Sequence, residues 1–115
     1  MSRRSRSHAR LHRPAPAVLF AALGDDTRLA LVAKLVSGKS ASIAELGADS
    51  SLTRQAITKH LRVLEHAGLV RSVRSGRERH FALDPRQLHA MQDYLDQVSR
   101  QWDQALARLK SFVEQ

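Results

Sequence analysis

Arg54, Gln55, Thr58 and Lys59 fall within six residues, flanked by Thr53 and Arg62. On a helix that spacing puts them on neighbouring positions within two turns. The chemistry open to them is hydrogen bonding rather than bond making. An arginine can bridge O6 and N7 of guanine, a glutamine can bridge N6 and N7 of adenine, and threonine or lysine suits a phosphate or a base. A second group, Arg74, Arg77 and Arg79, surrounds Ser75-Gly76. A turn there would bring cations to a phosphate backbone or a minor groove.

Other chemistry is thin. The chain has no cysteine, which excludes a disulfide framework, a thiolate metal site and a cysteine nucleophile. Gly38-Lys39-Ser40 echoes the end of a phosphate-binding loop, but Ala33 stands where the upstream glycine belongs. Neither a Gly-x-Ser-x-Gly nor a His-Glu-x-x-His motif occurs. His89 and Asp93 stand four apart and share a helix face, a weak two-ligand arrangement that is more often solvated than metal-bound. His8 and His12 have the same spacing in a basic arm. His60, inside the first cluster, either touches phosphate or packs beside Leu61. No enzyme activity, cofactor or metal is expected.

Charge sharpens the reading. The 115 residues carry 19 Lys+Arg against 11 Asp+Glu, a formal net charge of +8, with 43% apolar residues. All the excess lies in two places. Residues 1–13 hold Arg3, Arg4, Arg6, Arg10 and Arg13 with no acid, and residues 51–80 hold seven bases against Glu65 and Glu78. Clustered cations of this kind are the footprint of a polyanion partner. Aromatics are scarce, at 4%, which argues against a single-strand binder built on base stacking. The longest apolar run, Ala15 to Leu23, is about half a bilayer span. Its prolines and the following Gly24-Asp25-Asp26 argue against a targeting signal. No membrane partner is expected, and the location is read as cytoplasmic.

The elements that must position these residues follow from the pattern. Residues 1–13 read as a flexible basic arm and 14–115 as one domain. Pro16 to Leu23 forms a short helix stopped by Gly24. Asp25 or Asp26 caps a second helix, which Ser37-Gly38 closes. Ser42-Ile43-Ala44-Glu45 matches a capping box opening a third helix near 43–48. Thr53 caps a fourth to about Ala67, with Ile57, Leu61 and Leu64 as its buried stripe. Val70 to Arg74 and Glu78 to Leu83 read as a hairpin. Asp84-Pro85 opens a long helix, about 85–113.

In that last helix the apolar residues are Leu88, Met91, Leu95, Val98, Trp102, Ala105, Leu109 and Phe112, at gaps alternating between 3 and 4. This is an unbroken heptad seam on a rod of roughly 40 Å. Much of it must overhang so small a body, and its simplest cover is a second copy of the chain.

Three helices, a fourth that projects from a turn, a hairpin and a long helix make a winged helix-turn-helix, mostly α with a small β wing. The sequence here resembles the ArsR (ArsR/SmtB) transcriptional regulators. The likeness is carried by Leu23-Gly24-Asp25-Asp26-Thr27-Arg28-Leu29, by Thr53 to Leu64, by Glu65-His66-Ala67-Gly68-Leu69-Val70 and by Gly76 to Pro85. It implies a homodimeric repressor bound to a double-stranded DNA operator, paired through its first and last helices. Arg54, Gln55, Thr58 and Lys59 then fall on DNA-reading positions and Arg77 and Arg79 on the wing, and Thr53, Arg62 and Arg74 beside them complete the expected DNA-binding set. Leu19, Leu88, Met91, Leu95, Val98, Trp102 and Leu109 fall on the dimer interface. The chain departs from metal-sensing members of the family. The third helix, with Glu45 to Asp49, has no Cys-x-Cys, and Val98 occupies the middle of the last helix. Alternatives are a metal-responsive repressor using His89 and Asp93, or a protein-interaction module whose basic segments hold nucleic acid nonspecifically. The sequence names neither operator nor inducer.

Overall fold

The computed structural model describes residues 16–114; the basic arm expected at 1–13, with His8 and His12, lies outside the described residues. Among the described residues, five helices and three short strands follow in the order α1 (Pro16–Leu23), α2 (Asp26–Leu35), β1 (Ala41–Ser42), α3 (Ile43–Leu46), α4 (Arg54–His66), β2 (Val70–Ser75), β3 (Glu78–Leu83) and α5 (Pro85–Val113). No described helix is long and apolar enough to cross a membrane.

Side-chain caps set most of the helix starts. Asp25 caps α2 by accepting the Arg28 amide proton at 3.0 Å. Ser42 and Glu45 complete the capping box of α3: the Glu45 amide donates to Ser42 Oγ, and the Ser42 amide donates to the Glu45 carboxylate. Thr53 Oγ1 accepts from the Ala56 amide at 3.0 Å, so α4 begins with its orphan donors partly satisfied. Asp84 accepts from the Arg86 amide, with Pro85 in the first turn of α5. Helix α3 is shorter than its pattern predicts. It stops at Leu46, and Gly47 follows as its C-cap, lying against the Ile57 side chain where a Cβ would come within 3.3 Å.

The sheet is antiparallel in the order β1-β3-β2. Strand β1, absent from the sequence expectation, pairs Ala41 with Phe81 and Ser42 with His80. Strand β2 runs one residue further than expected, so Ser75 pairs with Glu78 across a two-residue loop, Gly76-Arg77. Gly76 has φ +64°, and no described non-glycine residue has positive φ. Glycine at the first loop position alone is the pattern of a tight hairpin whose twist matches its strands.

Leu31 and Leu35 of α2, Leu46 of α3, Ile57, Leu61 and Leu64 of α4, Leu69, Val70 and Phe81 form one core with Leu19 of α1 and Met91 of α5. Part of the expected pairing surface lies in or against this core. Leu19 is 1% exposed, Met91 is 8% exposed, and Leu88 packs partly against the same core. The apolar surface of Leu19 and Met91 is thus largely covered within the chain itself. Phe20 of α1 also meets Tyr94 of α5, ring centroids 5.9 Å apart, which ties the first helix to the last.

Candidate nucleic-acid interface

Helix α4 is divided lengthwise. Ile57, Leu61 and Leu64 are buried, and the cationic residues are turned to solvent. Arg54, Gln55, Thr58, Lys59 and Arg62 together line one shallow concavity of about 440 Å³. Five of the six expected α4 contacts are thus brought together. The sixth, Thr53, stands just ahead of them as the N-cap, its oxygen engaged by the Ala56 amide. Thr58 donates its hydroxyl proton to the Arg54 carbonyl at 2.8 Å. It therefore offers an outside partner its methyl group and an acceptor, not a free donor.

Side-chain contacts brace the helix-turn-helix and tie the wing to it. Lys34 of α2 donates to the Leu46 carbonyl at 2.7 Å and pairs with Asp49, fixing the end of α3 and the turn after it. The Lys34 ammonium donating to Asp49 holds that carboxyl below its ordinary value. Ser72 of β2 donates to Glu65 of α4 at 2.8 Å, joining the wing to the helix.

The exposed cations are held open. Among the described residues, ion pairs occupy Lys34, His60, His80 and Arg86, and none involves Arg54, Lys59, Arg62, Arg74, Arg77 or Arg79. In the wing, Arg74 stands directly across the ladder from Arg79. Like charges at that spacing repel and destabilise a hairpin. The one acid of the wing, Glu78, faces His80 at 3.8 Å instead. Arg77 occupies the hairpin tip. Such a constellation is completed by a polyanion rather than by the protein itself.

Comparison with known proteins agrees with this geometry. A family model described as a helix-turn-helix domain matches residues 23–73. The HTH-type transcriptional regulator Rv2034 of Mycobacterium tuberculosis is 38% identical over 93 residues, 81% of this chain and 83% of that protein. The solved structure of an ArsR-like transcriptional regulator from Rhodococcus sp. RHA1 superposes with a TM-score of 0.73 at 36% identity, covering 84% of this chain and 91% of that one. The chain belongs to the ArsR family of helix-turn-helix transcriptional regulators. At the level of fold alone, it also matches the homodimeric winged helix-turn-helix DNA-binding domain of Mb0332 from Mycobacterium bovis, with a TM-score of 0.59 and 19% identity over 74% of this chain and 77% of that one. ArsR regulators are DNA-binding transcription factors and not enzymes, so the α4 and wing cations belong to a protein whose business is DNA.

For an ArsR-family chain the remaining expected residues fall as follows. Leu95 and Trp102 of α5 are 53% and 64% exposed, Leu109 is 59% exposed, and Val98 is half-buried. Leu106, Phe112 and Val113 widen that open apolar stripe. His89 and Asp93 are exposed, and among the described residues no three His, Cys, Asp or Glu side chains are grouped to hold a metal ion. One residue was placed ambiguously by sequence and is settled by structure. His60 turns toward the body of the chain, where its Nδ1 lies 3.2 Å from Arg28 Nη1 and 3.8 Å from Asp25 Oδ2.

Proposed function

We propose that the chain is a homodimeric, sequence-specific repressor that inserts α4 into the major groove and lays its wing along the backbone or minor groove. The observation that carries this reading is the concavity of Arg54, Gln55, Thr58, Lys59 and Arg62, backed by a buried stripe and free of ion pairing among the described residues. A groove about 12 Å wide admits one helix rimmed with donors, and these are the donor types that distinguish guanine and adenine. Arg62, Arg74, Arg77 and Arg79 supply phosphate contacts that set register.

The unpaired stripe of α5 supports the dimer. Leu95, Trp102, Leu106, Leu109 and Phe112 expose contiguous apolar surface along a helix that its own domain covers only at the near end. A second copy of the same stripe is its simplest cover. Two α4 helices related by a two-fold axis address half-sites about 34 Å apart. A DNA face joined to a self-pairing helix can repress by occupancy, covering the site it binds, and the place of such work is the cytoplasm.

The test is footprinting on the DNA flanking the chain's own coding region. Two protected half-sites one helical turn apart are expected, with protection lost on Arg54→Ala. Equal competition by random duplex would instead favour nonspecific nucleic-acid binding.

A further inference from the structure

We propose that Arg28 is a positioning residue for DNA binding, and that its hydrogen bond to His60 is a proton-sensitive latch on the recognition helix. The inference rests on the reading of α4 as the DNA-reading helix.

One guanidinium joins three helices. From α2, Arg28 Nε donates to the Ala22 carbonyl in the last turn of α1 at 2.5 Å, and Nη1 reaches His60 Nδ1 of α4 at 3.2 Å. The planar fork of arginine suits two acceptors lying in different directions. His60 sits between Lys59, which faces the groove, and Leu61, which is buried, so its placement sets the rotation of the reading face.

The chemistry of the contact fixes the state of the ring. A guanidinium has donors only and does not deprotonate in a protein. His60 Nδ1 must therefore accept, which requires a neutral imidazole with its proton on Nε2. A proton on Nδ1 sets two donors and two positive charges face to face.

The charged groups facing His60 are Arg28 of α2 and Asp25 of the α1–α2 turn, and Asp25 Oδ2 lies 3.8 Å from Nδ1. The Arg28 amide donating to Asp25, together with the nearby charge of Arg28, holds that carboxyl below its ordinary value of 3.8. Asp25 is therefore ionised throughout the range in which a histidine titrates. Protonation accordingly exchanges the partner of His60, from Arg28 to Asp25. The oxygen it draws on is the one that caps α2. Neutral His60 is clamped to Arg28, and protonated His60 is repelled by Arg28 and competes for the cap. The clamped form is the one that presents α4 correctly.

The test is fluorescence anisotropy with a labelled duplex enriched by the wild-type chain from a random-sequence pool, titrated at constant ionic strength between about pH 5.5 and 8. His60→Asn places an amide oxygen where Nδ1 accepts and has no titration in this range. The wild-type-to-variant ratio of affinities cancels the contributions of the other five histidines, His8, His12, His66, His80 and His89. That ratio is expected near one at the alkaline end and to fall on the order of tenfold at the acid end, the effect of one lost charge-assisted hydrogen bond. A ratio that does not change with pH overturns the latch. Arg28→Met, with its helix content checked by circular dichroism, is expected to weaken binding at the alkaline end by a similar factor. Full affinity in a folded Arg28→Met chain overturns the positioning role, and if that variant does not fold, the His60→Asn ratio decides. Arg54→Ala on the same duplex is the separate control: unchanged binding there would sink the α4 reading itself, whatever His60 does.

Discussion

Helices α4 and α5 each bury one part of their surface and leave another unmatched, but what they leave open differs in kind. On α4 the open side is cationic and polar, with no ion pair among the described residues to neutralise Arg54, Lys59 or Arg62. On α5 the open side is apolar, from Leu95 to Val113. Unmatched charge is cheap in water and waits for an opposite charge. Unmatched hydrocarbon is costly in water and waits for more hydrocarbon. The contrast is what supports the proposal of DNA for one helix and a second copy for the other.

The sharpest way to break that contrast is to make the same kind of cut on both helices. Leu61→Ala removes a fully buried side chain of α4 and is expected to cost about 3 kcal/mol of folding stability, measured by urea denaturation. Leu109→Ala on α5, 59% exposed in the chain, should barely change the unfolding of a diluted, dissociated sample. Next comes Trp102→Ala. Loss of that side chain from a paired seam should weaken the dimer by about 2 kcal/mol or more, seen as dissociation at micromolar concentration by sedimentation. An unchanged profile would count directly against α5 as the pairing helix.

On the α4 side, Arg54→Ala is expected to cost about 2 kcal/mol of operator affinity and to relax preference at one base pair, with the dimer intact. Arg77→Ala should act more gently, lowering affinity evenly across sequences and reducing the slope of log affinity against log salt by about one. The smallest effect concerns the cap of α5. The Arg86 guanidinium, bonded to Asp84, holds that carboxyl below its ordinary value of 3.8. A depressed carboxylate stabilises the fold above its ordinary value and loses that contribution as pH falls through the folded one. Asp84→Asn should therefore cost under about 1 kcal/mol near neutrality and flatten the acid limb of a thermal-melt series.

Much of this was legible in the sequence because it is local. Capping residues lie within three positions of the amides they satisfy, so Ser42, Thr53, Asp84 and the Asp25-Asp26 pair announced four helix starts, and the structure picks Asp25 from that pair. The α4 cluster was legible for the same reason: neighbouring positions and one helical period place Arg54, Gln55, Thr58, Lys59 and Arg62 together. What failed was long-range. Strand β1 has two residues, too few to show alternation, and exists because β3 offers it an edge forty residues away. The contact between Arg28 and His60 spans 32 positions, and no pattern connects them. By period alone the heptad seam of α5 is a single surface, yet the fold divides it. Periodicity tells which residues share a side and is silent on what covers them, so Leu88 and Met91 went to the chain's own core.

The 29 residues of α5 have a mechanical consequence. A rigid shaft of that many residues is about 43 Å long, so a pivot of about five degrees at one end swings the other by on the order of 4 Å. In a two-fold pair, any molecule that wedges open the crossing of the two shafts thereby re-spaces both reading heads by a third of a groove width without touching either. Control of transcription in such an assembly can enter as an angle far from the bases and arrive there as a distance.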